Sequence, residues 1–278
     1  MEFPGILYTY DESSRRTAFE SGPLHSPKTV VFIGGLGDGY NAVTFLKPLQ
    51  IALANEEWSL IQVNLSSSYY GYGIVDLQTD CNELDKLVHY LKEVRKKETI
   101  VFLGHSTGSQ DCYWHNKNGQ TSESVAGYIL QAPVSDREYF EKTLPNFEQL
   151  LAEAVELRKE NKGRHFLSGF DEVPITADRF YSLAAYRGDD DVFSTDLSMS
   201  ELEELYCDLK RPMLLVESSD DEFYAGKISK TEMLERLRSA CPAIKLTEIV
   251  SGADHCITDT NAQKDFVDLV LKFVVLLV

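Results

Sequence analysis

The chain has 278 residues, 43% of them hydrophobic, which is too apolar for a disordered protein and ample for a sizeable core. Acidic residues outnumber basic ones, 44 against 27, and the formal charge of −17 repels phosphate backbones and anionic membrane surfaces, so nucleic acid and membrane are excluded as expected partners. The length fits one α/β domain carrying an insertion.

The first 16 residues contain no basic start followed by a long apolar run, so no signal peptide is read there. Ile6-Leu7-Tyr8-Thr9-Tyr10 and then Thr17-Ala18-Phe19 read as a short antiparallel edge hairpin. Continuous apolar runs follow at 29–33, 60–65, 99–103, 125–130, 213–216 and 244–250. Such runs suit strands covered on both faces, as in a parallel sheet. Helical patterns alternate with them at 42–55, 76–97, 107–115, 227–239 and from 261 to the end. In 76–97, Leu77, Leu84, Leu87, Val88, Leu91 and Val94 share one face, Asp80, Lys86, Lys92 and Lys96 fall elsewhere, and Asp76 is the expected N-cap. The closing VDLVLKFVVLLV is shorter than the roughly 20 residues that span a bilayer and carries Lys272, so a buried terminal element is expected.

Strand alternating with helix means a doubly wound, mostly parallel α/β sheet. The alternation breaks over 136–206, where 147–162 and 177–186 read as helices with no convincing strand beside them. The expectation is a core of 1–135 and 207–278 with a mainly helical cap, 136–206, over the carboxyl edge of the sheet. The acidic run Asp189, Asp190 and Asp191 reads as a solvated turn or helix start. The five cysteines, Cys81, Cys112, Cys207, Cys241 and Cys256, show neither paired nor zinc-ligand spacing, so neither a metal nor a disulfide frame is expected, and a reducing, cytoplasmic location is.

Gly104-His105-Ser106-Thr107-Gly108 follows an apolar strand and precedes a helical pattern, which is the context of a G-x-S-x-G nucleophile elbow. A serine hydroxyl needs a base to take its proton and a carboxylate to hold that base, in the chain order serine, acid, histidine. His25, His89 and His105 precede Ser106, His115 lies late in the following helix, and His165 lies in the cap. That leaves His255, in the loop after the last strand, as the base, with neighbouring Asp254 pointing elsewhere. The acid belongs after the run 213–216, where Asp221 is preferred and Asp220 is next; Asp136, after the preceding strand, is the outside alternative. Amides of Thr107 and of the run Gly34-Gly35-Leu36-Gly37-Asp38-Gly39, with Leu36 first, are the expected oxyanion donors. That glycine run has neither a GxGxxG frame nor a Walker lysine, so phosphate binding is set aside and no cofactor is expected. Gly35 is placed in the pocket. Tyr69, Tyr70 and Tyr72 follow a strand at the serine's edge and either rim the pocket or pack beneath a loop.

The stretches VFIGGLGDG, FLGHSTGSQD, LQAPVSDRE, VPITADRFYSL with GDDDVFSTDL, and VESSDDEF resemble the DUF1749 (UPF0613) family of the α/β-hydrolase superfamily over nearly the whole chain. The resemblance implies an α/β-hydrolase fold and hydrolysis, inside the cell, of the esters that join hydroxamate units in a fusarinine-type siderophore, releasing iron-binding fragments. Free amines on such a ligand are cationic, which makes Asp189 and Asp190 candidate pocket residues. The expected partner is therefore a small-molecule ester. Transfer of the acyl group to another acceptor, cleavage of an amide or thioester, lyase chemistry by the same serine and histidine, and a non-catalytic ligand-binding protein are the other readings.

Overall fold

Five runs too apolar to leave either face wet lie side by side, a sixth and half-exposed one, 244–250, closes one edge, and the two-residue repeat of each sends alternate side chains to opposite faces. The computed structural model describes residues 1–170 and 173–277; Asp171 and Glu172, within the expected cap, and Val278, at the end of the expected terminal helix, lie outside the described residues. The strands are β1 (Gly5–Asp11), β2 (Arg16–Ser21), β3 (Lys28–Ile33), β4 (Ser59–Val63), β5 (Thr99–His105), β6 (Gly127–Gln131), β7 (Met213–Ser218) and β8 (Ile244–Val250). They form one sheet in the order β1-β2-β4-β3-β5-β6-β7-β8. β2 runs antiparallel to both its neighbours, β1 and β4, and the remaining pairs are parallel. This is the expected α/β-hydrolase sheet with its edge hairpin.

The helices are α1 (Leu46–Asn55), α2 (Leu77–Glu93), α3 (Gly108–Asn118), α4 (Asp136–Thr143), α5 (Phe147–Lys159), α6 (Ala177–Ala184), α7 (Met199–Tyr206), α8 (Lys230–Ala240) and α9 (Thr260–Val275). α1 and α9 cover one face of the sheet, burying Leu49, Leu53, Phe266 and Val270 against Val30, Phe32, Val101 and Leu103. α2, α3 and α8 cover the other face, burying Leu84, Leu91, Tyr113 and Leu237 against Val31, Ile33, Ile100 and Phe102. The odd and even residues of β3 and β5 thus belong to different cores, as a continuous apolar run requires. Asp76 caps α2 by accepting from the Thr79 amide. α1 begins four residues later than its apolar pattern suggests, which leaves Pro48 in the first turn, where a missing N–H is tolerated.

Among its described residues, segment 136–206 holds α4 and α7 besides the two helices expected. α4, α5 and α6 share an apolar cluster of their own, with Phe140, Phe147, Leu150 and Phe180 at its centre. α7 instead packs Leu202 and Tyr206 into the core beneath α2, α3 and α8. The acidic run is a correction to the sequence reading. Asp190 and Asp191 are buried, not solvated: Asp190 pairs with Arg179 of α6 and accepts from the Ser182 hydroxyl, while Asp191 pairs with Arg137 of α4 at 3.0 Å. Partners 11 and 54 residues away neutralise Asp190 and Asp191, while Asp189 is exposed as the sequence suggested.

Candidate active site

The chain leaves β5 at His105 and enters α3 at Gly108, so Ser106 has to make the whole turn, and it does so with φ of +53°. That left-handed backbone is costly for a non-glycine residue and is held by its surroundings. The Ser106 amide donates to the Gln131 carbonyl at 3.0 Å, and the Ser106 carbonyl accepts from the Ser109 amide at 2.8 Å. The flanking glycines are sterically required: a Cβ on Gly104 lies 2.1 Å from the Gly108 carbonyl oxygen, and one on Gly108 lies 2.4 Å from that of Ile33. Ser106 therefore stands half-buried at the floor of a cavity of about 510 Å³ at the carboxyl edge of the sheet.

His255 lines the same cavity from the loop between β8 and α9. Its Nδ1 lies 2.8 Å from Asp221 Oδ2, and both side chains are almost wholly removed from solvent. Asp221 is held in turn by the Phe223 amide, which donates to Oδ1 at 2.9 Å. With Nδ1 engaged, Nε2 is the ring nitrogen left for proton transfer. The imidazole is boxed by the ring of Phe223, 4.6 Å away between centroids, and by that of His105, at 4.9 Å. The His255 amide donates to Glu222 Oε2 at 3.0 Å.

The other acids are elsewhere. Asp220 is exposed and, among the described residues, its carboxylate accepts only from the adjacent Ser219 hydroxyl, at 3.0 Å. Asp136 faces the cavity from the start of α4 but accepts from Gln110 Nε2 at 2.9 Å and makes no bond to His255. Burial, reinforced by nearby Asp190, pushes its carboxyl up to about 8. Asp254 accepts from the amide and hydroxyl of Thr258 and shapes its own loop.

Gly35 and Leu36 border the cavity, and Gly35 approaches the serine so closely that a Cβ on it lies 2.7 Å from Ser106 Cβ. The Gly35 amide donates to Asp38 Oδ2 at 2.8 Å and the Asp38 amide returns to the Gly35 carbonyl at 3.1 Å, closing the turn that presents Leu36. Among the described residues, neither the Leu36 nor the Thr107 amide donates to a protein acceptor. The Thr107 side borders a separate void about one water in size, with Asp80, Asp111 and Arg179. Burial raises both of these carboxyls, Asp80 to about 7.

Tyr69, Tyr70 and Tyr72 all line the cavity from a 3₁₀ turn, Tyr69–Gly73; the first two are exposed and Tyr72 is buried. Asp189 and Asp190 do not reach it. Asp189 borders a different cleft beside Arg158 and Arg187, and Asp190 is spent on Arg179. His105, Val134, Tyr139, Phe140, Phe223 and Cys256 also line the cavity, and none of them was expected there from the sequence. His105 stood in plain view inside the elbow motif, yet its partners Gln131 and Cys256 lie 26 and 151 residues away.

A family model described as "Protein of unknown function (DUF1749)" matches residues 1–276. The chain belongs to the DUF1749 family. The chain is 33% identical to the UPF0613 protein PB24D3.06c of Schizosaccharomyces pombe, over 91% of this chain and 90% of that protein. It is 30% identical to the fusarinine C esterase sidJ of Aspergillus fumigatus, over 85% of this chain and 83% of that one. Among solved structures, it is similar to the siderophore hydrolase EstB from Aspergillus fumigatus, with a TM-score of 0.83 and 29% identity, covering 100% of this chain and 98% of the other.

Proposed function

We propose that the chain is a serine esterase whose substrate is an ester-linked hydroxamate siderophore of the fusarinine type. The observation that carries the reading is the 2.8 Å contact of His255 Nδ1 with Asp221, in the same cavity as a serine held in left-handed backbone at a strand-to-helix turn. Ser106 Oγ attacks the ester carbonyl and passes its proton to His255 Nε2. Asp221 keeps the imidazole in the required tautomer and stabilises the cation that forms. The amides of Leu36 and Thr107 receive the oxyanion; a preorganised donor of this kind is worth about 2.7–4 kcal/mol in the transition state. The leaving alcohol takes the proton from His255, and water repeats the sequence to free the acid.

Segment 136–206 acts as the cap, since Asp136, Tyr139 and Phe140 of α4 form one wall of the cavity. The siderophore assignment is supported by the names of the two Aspergillus fumigatus proteins. Iron, when present, enters as part of the substrate. A reducing, cytoplasmic setting is supported by five free thiols, of which Cys81, Cys112 and Cys241 are buried.

The test is to give purified protein ferric and iron-free fusarinine-type esters beside p-nitrophenyl esters and to detect fragments by mass. Monomeric hydroxamate acids are expected from the siderophore esters. Turnover of p-nitrophenyl esters alone removes the siderophore assignment and leaves the esterase, whereas no turnover of any ester by folded protein removes both.

A further inference from the structure

Gln131 ends β6, directly between the strand that delivers the serine and the strand that delivers the acid: it is in register with His105 of β5 on one side and Val216 of β7 on the other. It is fully buried and bonds to both halves of the site. Its peptide oxygen accepts from the Ser106 amide at 3.0 Å. Its side-chain Oε1 accepts from His105 Nδ1 at 2.5 Å, and its Nε2 donates to the main-chain oxygen of His255 at 3.1 Å. Ser218 Oγ, at the end of β7, lies 3.5 Å from the same nitrogen.

The chemistry of the amide orders this network. Oε1 can only accept, so His105 carries its proton on Nδ1, and the bare Nε2 faces Cys256 Sγ and Asp38 Oδ2, each 4.0 Å away. Burial depresses His105 to about 4 and keeps it neutral beside the second imidazole. Among side chains of similar shape, only an amide offers an acceptor to His105 and a donor to the His255 carbonyl at every pH, because a carboxyl does so only while protonated. We propose that Gln131 is a positioning residue that fixes the separation of Ser106 and His255 by tying the elbow to the main chain of the histidine loop. The proposal rests on the esterase reading above.

Two variants test it, with p-nitrophenyl butyrate as the probe and circular dichroism to confirm folding. Gln131→Leu keeps the volume and removes the donor. It is expected to lower kcat by about 10²-fold, the cost of a misplaced reacting group, with KM within about threefold of the parent. Gln131→Glu separates positioning from simple satisfaction of buried groups. Protonated, the introduced carboxyl still donates to the His255 oxygen; ionised, it has lost that proton and repels the carbonyl. Around it stand His105 from β5, Asp38 from the loop after β3, Asp221 and Glu222 from the loop after β7, and His255 with Cys256 from the loop before α9. The ratio of Gln131→Glu kcat to parent kcat is therefore expected to fall as pH rises.

A folded Gln131→Leu with kcat within about twofold of the parent overturns the proposal. So does a Gln131→Glu ratio that stays flat with pH, and that arm decides alone if the leucine variant does not fold. If the parent hydrolyses the ester and the variants match it, this inference fails by itself; if the parent hydrolyses no ester, the esterase reading fails and takes the inference with it.

Discussion

At the scale of single residues, the site is built from groups whose partners define them. On the proposed reading Ser106→Ala removes the nucleophile and is expected to lower kcat by about 10⁶-fold, with the melting temperature nearly unchanged because, among the described residues, the serine hydroxyl makes no hydrogen bond that holds the fold. Asp221→Asn preserves the packing but offers His255 the wrong tautomer, so a loss of about 10⁴-fold in kcat is expected, measured on a simple ester. Asp220→Asn is expected to change kcat little, since that carboxylate is exposed and its partner is the adjacent Ser219 hydroxyl. Motif context and chain order left one candidate each for the serine and the histidine, and both line the same cavity. The pairing of Asp221 with His255 was a preference until the turn was seen, because Asp220 and Asp221 differ only in which side of a tight loop they occupy. Asp190 misled for the opposite reason: nothing in a DDD string announces an arginine waiting beneath it.

At the scale of elements, the elbow depends on absent side chains and the sheet on a buried charge. Gly108→Ala is expected to destabilise by about 1–3 kcal/mol or more, and to cut activity further, because its Cβ meets the Ile33 carbonyl at 2.4 Å and the backbone that holds Ser106 has to shift. Two residues before β5, Lys97 has its ammonium wholly buried, 2.5 Å from Glu20 Oε1 of β2, and donates to the Ser26 carbonyl at 2.7 Å. Arg95 adds a second cation on Glu20 at 2.9 Å. Glu20→Gln leaves those cations without a counter-charge, and urea unfolding is expected to show a loss of about 3–5 kcal/mol. Strands β3 to β7 were legible as apolar runs because both their faces are buried. α4 and α7 were not: α4 has few apolar residues and is fixed by Arg137, Glu138 and Phe140 reaching separate partners, and α7 is only two turns long. Periodicity has too little length to work on in either.

At the scale of the whole molecule, the charge of −17 is partly a formal figure, because some of its acids are protonated in the folded protein. Burial raises Glu217 from 4.5 to about 8, and Asp136 from 3.8 to about 8. Each of these groups binds a proton in the folded state that the unfolded chain has released, so its stabilising contribution is complete below about pH 4 and is lost as pH rises towards 8. Asp11 has the opposite sign: bonds from Lys86, Ser13 and Ser14 hold it well below the usual carboxylate range, and its contribution is lost in acid. The melting temperature is accordingly expected to fall between pH 6 and 8.5, and Glu217→Gln to flatten that fall; an unchanged slope in the variant contradicts the assignment. The central claim is that Ser106, activated by His255, is the nucleophile, and its most direct measurement is the mass-mapped site of attachment of a fluorophosphonate probe. The expected result is a single adduct on Ser106, lost in Ser106→Ala and slowed strongly in His255→Ala. An adduct on another residue, or labelling that persists in Ser106→Ala, contradicts it.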